Sequence, residues 1–340
     1  MFLTQEKALR RVVQERQKGD RKRALERARS ALEKYPGDYD LSMEAIRLCF
    51  DLRDLKEAVS LMKATIRKHP RSRSQLISMA SEELHGSFNP LLASFVIEYL
   101  IRARDLDAAR NVMRQGPDSY LEGMIKRSKT RSEGFEESGS KKTSSYIENE
   151  ILLGLLYIES KKYAEAAEPL GRALKSLPDE AQLIGQVLLE AERENRDSSR
   201  LQYYLGIASI LLDHPEKAEG RFFRSLELED PPAEDVLKLI ENEQARSLNW
   251  LMLQGEAMIR AGRGEEGAAR IKDYLEARDG GWDSSQGAGD ISKLFPEGID
   301  RKTFAWARLE RLPLEDIDDI EVTTLYCESA SSMEKAREAV

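Results

Sequence analysis

The sequence is poor in the residues that make sites. Its 340 residues hold two cysteines, Cys49 and Cys327, and three histidines. Two thiols in a chain this long supply neither a disulfide framework nor a zinc site, and they read as reduced cysteines of a cytoplasmic protein. His69, His85 and His214 each precede a proline or a glycine at a helix end or turn, where a polar or positive side chain is ordinary. No stretch approaches the roughly 18 apolar residues of a membrane span. The opening Met1-Phe2-Leu3-Thr4-Gln5-Glu6-Lys7 turns polar at once, without the apolar run of a signal peptide. A glycine-rich phosphate loop, a His-Glu-x-x-His pair and a Gly-x-Ser-x-Gly elbow are all missing. Asp283 and Asp290, with glycines between them, lack the alternating oxygen ligands and terminal glutamate of a calcium loop. No catalytic, cofactor-binding or metal residue is therefore assigned, and the chain is not expected to be an enzyme.

Charge is what the chain has in quantity. Charged residues make up 34%, aromatics only 7%. That balance suits many amphipathic helices sharing thin layers of core, and suits a thick β-sandwich core poorly. The net charge is −8, unevenly spread: residues 1–73 hold 19 Lys/Arg against 11 Asp/Glu, and the remainder 34 against 50. A basic end on an acidic body suggests surfaces that face different partners. Within residues 7–34 the ratio is 11 to 4, with Arg21, Lys22, Arg23, Arg27 and Arg29 close together. These five are the candidate contacts for an acidic partner: acidic protein, nucleic acid or anionic lipid. The bland reading is a solvated face around the apolar line Ala24, Ala28, Ala31, and no aromatic is interleaved there for base stacking before Tyr35.

Internal repeats organise the rest. Pro36 and Pro70 lie 34 residues apart, as do Ala24 and Ala58. Each pair marks an amphipathic helix closed by a proline, which cannot continue it. The clearest copy spans 148–178. Leu153-Gly154-Leu155-Leu156-Tyr157 forms one helix, Lys161-Lys162-Tyr163 the turn, and Ala164 through Ala166, Leu170 and Ala173 a second helix ending at Pro178. This resembles the tetratricopeptide repeat (TPR), with Leu-Gly-x-x-Tyr on the first helix, then Ala-x-x-x-aromatic and a closing proline on the second. Weaker copies follow at 200–231 (Leu205, Gly206, Ala218, Phe222, Leu226) and 248–276 (Gly255, Met258, Gly267, Ile271, Leu275), with another near 91–116 (Ile97, Ala109, Met113). Glu150 stands where the family often has tryptophan.

The resemblance implies an all-α fold, an α-solenoid of antiparallel helix pairs forming a TPR-like superhelix. Its expected core includes Ala24, Leu32, Ile46, Ala58, Ile66, Leu153, Gly154, Tyr157, Ala166, Leu170, Leu205, Gly206, Ala218, Phe222, Gly255 and Ile271. Later steps exceed 34 residues: Ala58 to Ala109 is 51, Ala166 to Ala218 is 52, and Ala218 to Gly267 is 49. Each excess is one helix with its turn, and 72–85, 180–194 and 233–246 are the candidate extra helices. Such a helix either interrupts a groove or packs elsewhere. The organisation expected is N-terminal repeats over 1–126, a flexible linker over 127–145, central repeats over 146–279, a Gly/Ser/Asp-rich loop over 280–300, and C-terminal helices over 301–340 that look like the start of a further repeat.

Function follows from the resemblance only at the level of shape. It implies a non-catalytic scaffold or adaptor that takes a protein or peptide partner in a helical groove, with no cofactor. Some members clamp acidic chaperone tails with Lys, Asn and Arg; the matching face of the first two units offers Leu9, Val13 and Glu44, so that clamp is not carried over. The alternatives are a nucleic-acid-associated protein using the basic amino end, and the partner-binding arm of a longer enzyme or regulator.

Overall fold

Aspartate repeatedly starts the helices. Asp20, Asp38, Asp54 and Asp105 each accept a hydrogen bond from the backbone amide three residues on, which satisfies one of the orphan donors of the first turn. Thr143, Ser198 and Asn89 do the same elsewhere. The turn inside each helix pair carries a left-handed residue just before the second helix's cap: Gly19, Arg53, Arg104, Lys161, Asp213 and Gly262. Non-glycine residues tolerate this conformation at a cost, and its recurrence at one register position shows the same hairpin built six times.

The computed structural model describes residues 4–139, 143–242, 249–276 and 308. Among them are sixteen α-helices: α1 (Gln5–Gln17), α2 (Arg21–Lys34), α3 (Tyr39–Asp51), α4 (Leu55–Lys68), α5 (Arg73–Gly86), α6 (Pro90–Arg102), α7 (Leu106–Arg114), α8 (Asp118–Glu137), α9 (Ser144–Glu159), α10 (Tyr163–Ser176), α11 (Ala181–Glu194), α12 (Ser199–Leu211), α13 (Pro215–Glu227), α14 (Ala233–Asn242), α15 (Asn249–Arg260) and α16 (Gly264–Glu276). No strand occurs among the described residues, so the fold is all-α. The chain divides into one unit up to Thr130 and a second from Arg131.

In the first unit, α1 packs on α2, α3 on α4 and α6 on α7; short turns join each pair, making them antiparallel neighbours. In the second, the pairs are α9 with α10, α12 with α13 and α15 with α16. The three extra helices expected from spacing are present as α5, α11 and α14. They do not separate the repeats. Helix α4 still touches α6, α10 touches α12 and α13 touches α15, while each extra helix packs against the first helix of the following pair.

One expectation is corrected. Residues 127–137, read as part of a flexible linker, are helical and complete α8. Their Ser, Lys and Glu content hides a helical stripe: Leu121, Met124, Ile125, Ser128 and Ser132 are all buried, at i, i+3, i+4, i+7 and i+11. Serines, small enough to lie in a contact, stand in for the apolar residues that composition looks for. From α3 onward the structure thus repeats three helices rather than two, with α8 as the third member that spacing did not reveal. The expected loop at 280–300 and helices at 301–340 lie outside the described residues, Arg308 apart.

The expected core is buried throughout, except that Leu32 is half-buried. Gly154 shows why the first helix of a pair needs a glycine. A methyl group there would sit 2.5 Å from Leu170 Cγ, well inside contact distance. Ala166, fully buried on the facing helix, has the same constraint. Ala166→Leu is expected to destabilise the second unit by about 1–3 kcal/mol through overpacking; unchanged thermal unfolding would contradict the pairing.

Candidate binding trough

The five basic residues singled out on α2 are largely occupied with one another's neighbours. Arg27 pairs with Glu15 of α1 at 3.2 Å, and Arg21 reaches Asp51 of α3 at 3.8 Å. Arg29 donates from Nε to Glu57 Oε1 at 2.8 Å and pairs with Asp54 at 3.5 Å. The Glu57 hydrogen bond, foremost, holds its guanidinium above the usual arginine range. These charges stitch α2 to the helices beside it. Only Lys22 and Arg23 of the five are exposed without a side-chain ion pair among the described residues. Cys49 is buried, and burial followed by Glu57 and Asp54 pushes its thiol up to about 12, which removes it as a nucleophile.

The second unit holds a larger feature. Helices α11, α12 and α13 enclose a trough of about 750 Å³, within the range of small-ligand and peptide sites. Each helix contributes one face. From α11 come Gln182, Gly185, Gln186, Leu189 and Glu192; from α12, Gln202, Leu205, Ala208 and Ser209; from α13, Lys217, Gly220, Arg221 and Arg224. The opposite face of α11, with Ala181, Ile184, Leu188 and Ala191, is buried in the core. Small residues give the trough its depth: a methyl on Gly185 would lie 3.5 Å from Ala208 Cβ. Leu189 and Leu212 remain 38% and 40% exposed along it, enough apolar surface to anchor a side chain.

Its charge opposes that of the whole chain. Arg196, Lys217, Arg221 and Arg224 line it against a single carboxylate, Glu192. Arg221 donates to Glu192 at 3.1 Å and to Gln202 at 2.7 Å, and Gln202 donates back to Glu192 at 3.2 Å. This network fixes the floor. Arg224 pairs with Asp197 and Glu227, while Arg196 and Lys217 make no ion pair among the described residues.

Buried polar residues stand at the position where the resembled family often has tryptophan. Glu150, fully buried, accepts hydrogen bonds from Ser132 of α8 and from Arg172 Nε of α10 at 2.9 Å, closing a three-helix contact. Gln202 occupies the matching place in the next repeat. Sequence reasoning missed the trough because it located α11 without fixing its face. The available signal was Gln182, Gly185, Gln186, Leu189 and Glu192 on one side, set against a continuous apolar stripe on the other.

Residues 15–80 match the tetratricopeptide repeat family. That match lies within the first unit. Among solved structures it is similar to a thermophilic TPR protein of Thermus thermophilus, at 16% identity over 90% of this chain and 100% of that one, with a TM-score of 0.19. It is also similar to an assembly chaperone of RpL4 (Acl4, residues 1–338), at 16% identity over 99% of each chain, with a TM-score of 0.22. No curated protein matches by sequence. No helix among the described residues is long and apolar enough to cross a membrane, and no cluster of metal-ligating side chains occurs among them.

Proposed function

We propose that the protein is a non-catalytic cytoplasmic scaffold that holds an extended segment of a partner protein in the trough between α11, α12 and α13. The observation that carries this reading is a preformed cavity of about 750 Å³ with a fixed floor, exposed leucines and unpaired basic side chains. Apolar walls would give affinity and a few polar groups orientation. The basic rim favours a partner with acidic side chains, drawn in by charge of the opposite sign.

The test is affinity capture from the native host's lysate, with and without nuclease, beside a Gly185→Leu variant that fills the trough. Specific proteins that survive nuclease and are lost with Gly185→Leu support the reading. Proteins lost only with nuclease would move the assignment to a nucleic-acid tether, with Lys22 and Arg23 as the first residues to change. Proteins captured equally by the variant would exclude the trough.

A further inference from the structure

A second pocket in the second unit already has an occupant. Arg308 lies far beyond α16 in sequence, yet its side chain is buried between α13 and α15, only 4% exposed. Its Nε donates to Glu256 Oε2 at 3.0 Å and one terminal nitrogen to Glu256 Oε1 at 2.9 Å, the fork geometry of a bidentate pair. That same terminal nitrogen reaches the Phe223 carbonyl at 3.2 Å, and the other pairs with Glu227. The guanidinium carbon stands 4.4 Å from the centre of the Phe223 ring, in cation–π range.

Every wall of this pocket suits a planar cation. Glu256 is fully buried. Glu227 and the Phe223 carbonyl lie in the last turns of α13, where the helix dipole favours positive charge. Arg260 pairs with Glu256 at 3.2 Å and Arg224 with Glu227 at 3.2 Å, so each carboxylate keeps a second partner that holds it in place when the pocket is vacated. An ammonium could meet the charge but could neither bridge both Glu256 oxygens in plane nor stack on Phe223.

We propose that α13 and α15 form a guanidinium-specific pocket whose ligand class is the arginine side chain, supplied in this chain by Arg308. The pocket is separate from the peptide trough and stands whether or not the trough reading holds.

The test uses full-length wild-type protein and Arg308→Ala, with ethylguanidinium chloride and ethylammonium chloride as probes at matched millimolar concentrations. Thermal unfolding and calorimetric titration are read together. Ethylguanidinium is expected to bind Arg308→Ala and raise its unfolding temperature. Its preference over ethylammonium should be about tenfold or more, since one charge-assisted hydrogen bond is worth at least that factor. Wild-type protein, its pocket filled, should show neither effect. Where Arg308→Ala fails to fold, Arg308→Lys serves as host: it keeps the charge, and its unfolding temperature should still fall below wild type. Equal response to both probes, equal response of wild type and variant, or a lysine variant as stable as wild type would each overturn the proposal.

Discussion

Arg172→Ala is expected to destabilise the second unit by about 3–5 kcal/mol, the usual cost of removing one partner from a buried ion pair. The asymmetry of the pair sets the size. Arg172 is 35% exposed and would find water if it lost its partner, whereas Glu150 is fully enclosed. The guanidinium, partly desolvated by its own burial, is nonetheless held above the usual arginine range by the charge and hydrogen bond of Glu150. Removing it leaves a buried carboxylate with Ser132 as its remaining donor in this contact. The double variant Glu150→Leu, Arg172→Leu should recover most of the loss, because an apolar pair of similar volume is often neutral or stabilising. Urea denaturation of the single and double variants checks both statements. A double variant no better than Arg172→Ala would show that the loss came from packing of the arginine stem rather than from the stranded charge.

Gly206→Val is expected to cost about 3 kcal/mol, at the upper end for overpacking. A Cβ at this position would stand 2.4 Å from a ring carbon of Phe222. That ring is fully buried and has no free direction, since Tyr203 lies 6.0 Å away and Trp250 6.1 Å away, centroid to centroid. The backbones of α12 and α13 must part for valine to fit. Gly134 gives the opposite case within the same unit. It lies in α8 with open space around its Cβ direction, so Gly134→Ala should stabilise by about 0.5–1 kcal/mol through reduced chain entropy. Chemical denaturation of the two variants side by side should give shifts of opposite sign.

The repeat was legible wherever the packing constraint falls on one residue. Gly154, Ala166 and Pro178 mark crossing points and ends that few other residues satisfy, and their spacing exposed the helix pairs. The excess of roughly half a repeat exposed α5, α11 and α14. Helix α8 escaped because its buried face uses Ser128 and Ser132, residues that composition assigns to linkers. The basic cluster on α2 was legible as charge, but its pairing was not: Glu15, Asp51 and Glu57 sit on three other helices, and only the fold brings them to Arg27, Arg21 and Arg29. The trough was illegible for a related reason. It is made by three helix faces, and the orientation of α11 is set by what Ile184 and Leu188 bury rather than by any motif. Arg308 is the extreme case, since nothing local distinguishes it from the other arginines of the chain.

The most direct test of the central claim is amide hydrogen exchange of the full chain, with and without a partner captured by the lysate experiment. Partner-dependent protection of α11, α12 and α13, centred on the faces that carry Leu189, Ala208 and Lys217, is the result predicted. Protection confined to α1 and α2, with the trough helices unchanged, would contradict it.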